Sequence, residues 1–384
     1  MSKTPLRLFI VTGEESGDQL GASMMKALKK RCKGDLIVMG VGGKAMAEEG
    51  LISLFNMDEI AVMGITAVAA RLPTILKRIN ETSKAIIEAQ PDALIIIDSP
   101  DFTHRVAHKV RAEMPNLPVV NYVCPSVWAW RPGRARKMKA YVDHVLAILP
   151  FEPQALKDLD GPPATYIGHP LAHTMSDKVA KLTANDHRTL LLLPGSRKGE
   201  IKRHLPILEQ TIEKLSALRE DVSFIMPVVP HLKDDIKNSI ENWAYPVELV
   251  SSAEQKKQAF NKATAALAAS GTVCLELALS NIPMIAIYRL DPVAKLAPYV
   301  VKTWSANLPN LIVDYPAVPE MYDPFIKPYT ISRALNRLLD KTPERQVQLD
   351  AFKTLREKMA LDEGVTADKK AADVVMKLLS DANS

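Results

Sequence analysis

The chain has 384 residues, longer than one hydrophobic core usually serves, so two domains of similar size are expected. Hydrophobic residues make up 47% and charged residues 24%, a globular profile that excludes intrinsic disorder. The formal charge of +5, from 49 basic and 44 acidic residues, is too small an excess to imply nucleic acid, and it suits anionic substrates or an anionic membrane surface. No apolar run approaches the roughly eighteen residues of a spanning helix, and MSKTPLRLFIVTGEESGD lacks a cleavable leader pattern, so a cytoplasmic protein is expected. Cys32, Cys124 and Cys274 are far apart in apolar contexts and read as reduced and buried.

Short β-branched runs alternate with helix-length segments along the chain. LRLFIVT, DLIVMG, ALIIID, LPVVNYV and HVLAIL come first, then TLLLLP, VSFIMPVV, PVELV, TAALAAS and PMIAIY. Continuous apolar strands are buried on both faces, which predicts an α/β protein with two Rossmann-like, doubly wound parallel sheets.

After the first strand, Gly13-Glu14-Glu15-Ser16-Gly17-Asp18 opens a helix and puts polar groups at a sheet's carboxyl edge. A carboxylate is disfavoured beside a phosphate, so Glu14 and Asp18 suit sugar hydroxyls; plain capping by Ser16 or Asp18 is the alternative. Gly40-Val41-Gly42-Gly43-Lys44-Ala45 has the form of a dinucleotide fingerprint, but it follows the second strand and lacks the downstream acid, so NAD is not expected. Ile60 to Ile79 is the most hydrophobic helical stretch, interrupted near Pro73. It is either a core helix or an apolar surface for acyl chains or membrane, with Arg71, Lys77 and Arg78 near lipid phosphates.

Asp98 ends a buried strand in IIIDSPDF, and Asp101 stands in the turn beyond. A sugar hydroxyl that attacks an anomeric carbon must lose its proton, and a strand-end carboxylate is a competent base; Asp101 alternatively caps the next helix. His104 and His108 have metal-ligand spacing, but Arg105 stands where HExxH needs Glu, and Asp158-Leu159-Asp160 lies in a polar turn, so no metal is expected. PSVWAWR places Trp128 and Trp130 in one loop, with Arg131, Arg134 and Arg136 following; these rings and guanidinium groups suit a sugar, an acyl chain or a phosphate, or else the tryptophans fill core.

The turn-rich stretch from Gly161 to about Asn185 predicts a domain boundary. The expected division is 1–170, 171–341, and a charged tail of two helices, 342–384, for packing or dimer contact.

LLLLPGSRKGE is the strongest local signal: a buried strand, the turn Gly195-Ser196, then Arg197 and a long helix carrying Glu200. The helix start favours an anion and Arg197 adds a forked cation suited to diphosphate. Ser270-Gly271-Thr272 opens a second helix after a strand, with Glu276 one turn inside to accept ribose hydroxyls. Two such starts in one domain converge on the usual ligand crevice of an α/β sheet.

The ordered set GEESGD, GVGGKAM, IDSPDF, PSVWAWR, ILPFE, GHPL, PGSRKGE, ASGTVCLE and NLPNLI resembles the lipid-A-disaccharide synthases, from the first strand to about Glu320. The resemblance implies a GT-B fold, two Rossmann-like domains facing a cleft, with 1–170 taking the acceptor and 171–341 the UDP-sugar. It implies a metal-independent inverting transfer from UDP-2,3-diacylglucosamine to the 6-hydroxyl of 2,3-diacylglucosamine 1-phosphate, with no cofactor. It assigns Arg197, Ser270 and Glu276 to UDP, Glu14, Ser16 and Asp98 to the reacting sugars, and Asn307, Asn310 and Glu320 more weakly to sugar. Peripheral association with the inner membrane's cytoplasmic face and a homodimer are also implied. Glu15 and Asp323 depart from the family's usual residues. A UDP-N-acetylglucosamine epimerase or a peptidoglycan glycosyltransferase on the same scaffold is the alternative.

Overall fold

The computed structural model describes residues 5–32, 36–60, 65–171, 187–290 and 303–382, with the backbone only for 65–70 and 382. By internal contacts the chain forms two compact units, Met1–Pro170 with Leu361–Ser384, and Leu171–Ala360.

In the first unit, β1 (Leu6–Thr12), β2 (Leu36–Val41), β3 (Ile52–Ser53), β4 (Ala93–Ile97), β5 (Val119–Tyr122), β6 (His144–Ala147) and β7 (Ala164–Tyr166) form one parallel sheet in the order β3-β2-β1-β4-β5-β6-β7. The helices between them are α1 (Glu15–Arg31), α2 (Lys44–Glu48), α3 (Ile65–Ala89), α4 (Pro100–Glu113), α5 (Gly133–Met138) and α6 (Glu152–Asp158). Strand β4 is buried at every position because helices cover both faces of the sheet. One face packs Phe9, Val11, Leu94 and Ile96 with Val106 and Val110 of α4; the other packs Leu8, Ile10 and Ile95 with Met24 and Leu28 of α1.

The second unit repeats the plan with β8 (Arg188–Leu193), β9 (Val222–Pro227), β10 (Val247–Val250), β11 (Ala265–Ala269), β12 (Met284–Tyr288) and β13 (Glu320–Tyr322), in the order β10-β9-β8-β11-β12-β13. Its helices are α7 (Lys198–Ser216), α8 (Lys233–Ile240), α9 (Ala253–Lys262), α10 (Thr272–Leu279), α11 (Leu308–Val313), α12 (Pro328–Leu338) and α13 (Pro343–Met359). The strand order reverses between β1 and β4 in the first sheet and between β8 and β11 in the second. Each reversal opens a crevice beyond the carboxyl ends of those strands, where α/β sheets bind ligands.

The ten apolar runs are all strands, and β3, β7 and β13 are additional. These three have two or three residues each and no continuous apolar run, so nothing in their composition marked them. The 342–384 tail is not a single appendage. Helix α13 belongs to the second unit, where Arg345 donates to Thr264 O and Leu338 O (2.7 and 2.8 Å) and Gln348 bonds both main-chain groups of Met284. Helix α14 (Ala367–Ala382) returns to the first unit, where Arg31 meets Asp373 at 2.5 Å and Ala371, Ala372 and Val375 join the core under α1.

Helix α3 runs through Pro73. Leu72 and Leu76 are 42% and 44% exposed, while Ile75 packs on the core. The expected basic fringe is partly engaged: Arg78 pairs with Glu59 and Glu81, and Arg71 donates to Asp58 O. Residues 61–64 of the apolar stretch, and the side chains of 65–70, lie outside the described residues. Among the described residues no helix is long and apolar enough to cross a membrane.

Candidate functional site

The crevice of the second sheet holds a cavity of about 580 Å³. Gly195, Ser196, Arg197, Glu200, Ser270, Gly271, Thr272 and Glu276 all line it. The turn after β8 depends on Gly195, whose φ of +109° is a region L side chains rarely adopt, and an added Cβ would stand 2.8 Å from a Glu200 carboxylate oxygen.

Three helices begin at this cavity, and they differ in how their first N–H groups are satisfied. Helix α9 carries its own capping box: the Ser252 hydroxyl accepts from Gln255 N, and Gln255 Oε1 accepts from Ser252 N. Helices α7 and α10 start at Arg197 and Gly271 with no side-chain cap. Ser270, next to the α10 start, donates its hydroxyl to Ala306 O at 3.2 Å. Two uncapped helix starts on one cavity present main-chain N–H groups and positive dipole ends to whatever enters it. Arg197 adds a guanidinium that is 62% exposed and pairs with Glu200 at 3.1 Å.

Sequence reasoning missed two residues here. Lys256 lines the cavity and holds Glu276 at 2.8 Å, so that carboxylate is positioned by a cation from α9. His204, fully buried one turn after Glu200 on α7, has Nδ1 2.8 Å from Pro194 O and accepts from Arg289 N on Nε2 at 3.0 Å. Both contacts require the neutral ring, and burial lowers its pKa. His204 thus ties the Pro194-Gly195 turn to the chain leaving β12. Only its place on the inward face of an amphipathic helix marked it, and core histidines share that signal.

Asn307, Asn310 and Glu320 do not line the cavity. Asn310 closes a two-way pair with the main chain of Val318 and donates to Glu320 at 2.7 Å. Glu320 also accepts from Ser305, Ala306 N and Tyr322, so this carboxylate fastens the 303–310 segment to β13. Asn307 is fully buried beside the Cys274 thiol, and among the described residues its amide atoms make no other side-chain contact of hydrogen-bond geometry. Asp323 pairs with Arg289 at 3.8 Å.

In the first sheet's crevice, Glu14 follows β1 and Asp98 follows β4. Asp98 and Ser99 both adopt left-handed backbone, φ +51° and +44°, an uncommon conformation that costs about 1–3 kcal/mol per residue and clusters at functional sites. Ser99 N donates to Asp98 Oδ1 at 2.9 Å, and the Ser99 hydroxyl reaches Glu14 at 3.3 Å, so one serine brings the two carboxylates together. Ser16 is exposed in the first turn of α1, which has no side-chain cap.

Other sequence candidates are committed elsewhere. Asp18 is 3% exposed and accepts N–H bonds from Gly43 (2.7 Å), Ala45 (2.8 Å) and Met46 (3.2 Å). It caps α2 from the first turn of α1, which spends both carboxylate oxygens on the main chain and accounts for the glycine-rich turn that imitates a dinucleotide fingerprint. At Gly40 (φ +148°) a Cβ would lie 1.8 Å from Ile10 O, so the strand itself excludes a side chain there. Trp128, half-buried, packs edge-on against Phe151 and donates to buried Glu152 at 3.3 Å. Its neighbour Trp130 lines a second cavity, of about 260 Å³, with Asp98, His104, Asn121 and Arg134. Asp101 is exposed and pairs with Arg134 at 3.2 Å; Arg131 stacks on Trp130 at 4.3 Å. His104 and His108 both pack on Tyr141, and among the described residues no three His, Cys, Asp or Glu gather as a metal site.

Two parallel-sheet units, each with its crevice at a strand-order reversal, define the GT-B architecture. Solved structures of that form match nearly the whole chain: the glycotransferase of kitacinnamycin (TM-score 0.63, 16% identity, 98% of this chain and 99% of that one), the UDP-GlcNAc 2-epimerase of Methanocaldococcus jannaschii in complex with UDP-GlcNAc and UDP (0.57, 13%, 98% and 100%), and MurG of Acinetobacter baumannii (0.58, 12%, 97% and 100%). At such identities they establish the fold alone. The sequence is more specific: the lipid-A-disaccharide synthetase (LpxB) family model matches residues 8–374. Lipid-A-disaccharide synthases of Rhodopseudomonas palustris (strain HaA2) and Rhodospirillum centenum are 45% and 38% identical to this chain, over 97% and 98% of it and 96% and 95% of their own lengths. The chain belongs to the lipid-A-disaccharide synthetase family and is a glycosyltransferase.

Proposed function

We propose that the enzyme transfers 2,3-diacylglucosamine from UDP-2,3-diacylglucosamine to the 6-hydroxyl of 2,3-diacylglucosamine 1-phosphate, releasing UDP and the β-1,6 disaccharide 1-phosphate. The observation that carries the donor assignment is the pair of uncapped helix starts, α7 and α10, on one cavity with Arg197. The diphosphate lies at those N–H groups, and Glu276, held by Lys256, accepts the ribose hydroxyls. The acceptor binds the first unit. Asp98 takes the 6-hydroxyl proton as O6 bonds to the anomeric carbon and the bond to the diphosphate oxygen breaks on the opposite face, inverting the centre. Charge growing on the leaving diphosphate is met by preorganised donors that need no reorientation during the step. Glu14, joined to Asp98 through Ser99, and Ser16 beside it hold sugar hydroxyls. The enzyme works on the cytoplasmic face of the inner membrane, with the exposed Leu72 and Leu76 of α3 facing lipid, and it forms homodimers.

The test is mass spectrometry of reactions with defined acylated donor, with and without acceptor. Disaccharide 1-phosphate that forms only when both are present is the expected result. UDP release without acceptor favours an epimerase-like enzyme and rejects the proposal. Asp98→Asn, folded and with unchanged UDP affinity, is expected to lose roughly 100-fold or more in kcat; near-normal turnover moves the base to Glu14 or Asp101.

A further inference from the structure

The cavity of about 260 Å³ in the first unit contains more chemistry than a base requires. Beside Asp98 it is lined by His104, Asn121, Ser126, Trp130 and Arg134. Asn121 is 1% exposed; its Nδ2 donates to Val123 O at 3.2 Å, while its Oδ1 has the His104 ring nearby but no hydrogen bond of good geometry. A buried carbonyl oxygen left without a donor is costly, and a ligand's O–H or N–H would relieve that cost. Arg134 is the cavity's cation. Its partner Asp101 has an 81% exposed side chain, and such a solvent-facing pair is worth little and exchanges readily for a multiply charged anion. The Trp130 ring sits under two guanidinium groups, Arg131 at 4.3 Å and Arg134 at 5.6 Å, which holds both cations at the rim. His104 is neutral, its pKa lowered to about 4 chiefly by burial and then by the Arg134 charge, so the cation acts on the cavity wall itself. The cavity therefore has a carboxylate, a cationic rim and an unsatisfied acceptor on the buried strand β5. An acceptor sugar carries the matching groups: a hydroxymethyl, an anionic substituent and a free ring hydroxyl.

We propose that this cavity selects the acceptor by its anomeric phosphate, with Arg134 on its Trp130 platform exchanging Asp101 for the 1-phosphate while Asn121 Oδ1 accepts from a ring hydroxyl and so turns the 6-hydroxyl toward Asp98. The assignment rests on the acceptor reading of the first unit given above. The experiment compares diacylglucosamine 1-phosphate with diacylglucosamine lacking the phosphate, at saturating donor, measuring disaccharide formation and, separately, UDP affinity. With Arg134→Ala, kcat/KM for the phosphorylated acceptor falls about 10- to 100-fold through its KM, the loss of one charge-assisted contact. The unphosphorylated acceptor changes less than about threefold on the same grounds, and UDP affinity and thermal stability stay at wild type. Asp101→Asn, which releases Arg134, lowers the phosphorylated acceptor's KM a few-fold. Asn121→Ala lowers kcat/KM for both acceptors alike, because that contact is to the sugar. If Arg134→Ala affects both acceptors equally, or neither, the phosphate assignment is overturned while glycosyl transfer stands; unchanged rates in Asn121→Ala overturn the hydroxyl contact. If the wild type makes no disaccharide from either acceptor, the transfer reading falls and this assignment with it.

Discussion

The carboxyl edges of the two sheets use polar residues in opposite ways. Around the second unit's crevice the main chain does most of the presenting: two helices begin without a side-chain cap, Gly195 clears the turn, and Arg197 is largely exposed although paired with Glu200. Around the first unit's crevice many marked groups are consumed by the protein. Asp18 caps α2 from 25 residues away and Trp128 donates to Glu152, while Glu14 and Asp98 meet through Ser99. A strand-to-helix turn advertises a phosphate site through local chemistry, because main-chain N–H groups and one glycine suffice. A sugar site is built from side chains, and side chains have long-range partners that sequence spacing does not reveal.

The contrast can be broken by substitution. The largest effect is expected from Arg197→Ala, which removes a cation from the proposed diphosphate site: about 100-fold or more in kcat/KM, with unfolding transitions unchanged. If stability falls instead and catalysis holds, Arg197 is structural and the second crevice is no more open than the first. Asp18→Ala should do the reverse. Leaving three N–H donors of α2 unanswered costs about 2 kcal/mol of stability, seen in urea denaturation, while the folded fraction keeps its kcat. A kcat loss beyond the unfolded fraction would return Asp18 to the sugar site.

A smaller, pH-dependent effect follows from buried titratable groups. Burial lowers the pKa of His104 and His169 to about 4 and lowers His144 and His204. The unfolded chain therefore takes up protons below pH 6.5 that the folded chain refuses until near 4, and stability is lost as pH falls through that window. Glu152 acts against this. Burial raises its carboxyl to about 7, so between 7 and 4.5 the folded state keeps a proton the unfolded state has released, and its contribution grows as pH falls. Glu152→Gln should steepen the acid loss of stability by up to about 1.4 kcal/mol per pH unit. An unchanged slope between pH 7 and 4.5 would show that Glu152 is ionised in the native protein.

The sheets were legible because every long strand is a solid apolar run, and the donor crevice because its residues follow those runs directly. The short edge strands β3, β7 and β13 have no such run. Lys256, His204 and Asn121 escaped notice for a related reason: each acquires its role from a partner on another element, such as Glu276, Arg289 or the cavity beside Asp98. Asn310 and Glu320 show the same long-range pairing, since the resemblance marked each separately and the fold joins them by a hydrogen bond.

Helix α14 has a practical consequence. Ala371, Ala372, Val375 and Leu379 complete a core otherwise built from the first 170 residues, and Arg31 clasps Asp373 and Lys369 O. A gene cut after Pro170 would yield a front half lacking one of its own walls, prone to stick to itself through bare Leu8, Met24 and Leu28. Grafting 361–384 behind residue 170 through a short linker should restore solubility to that fragment, and shortening the protein from its carboxyl terminus should injure the opposite end of the gene product first.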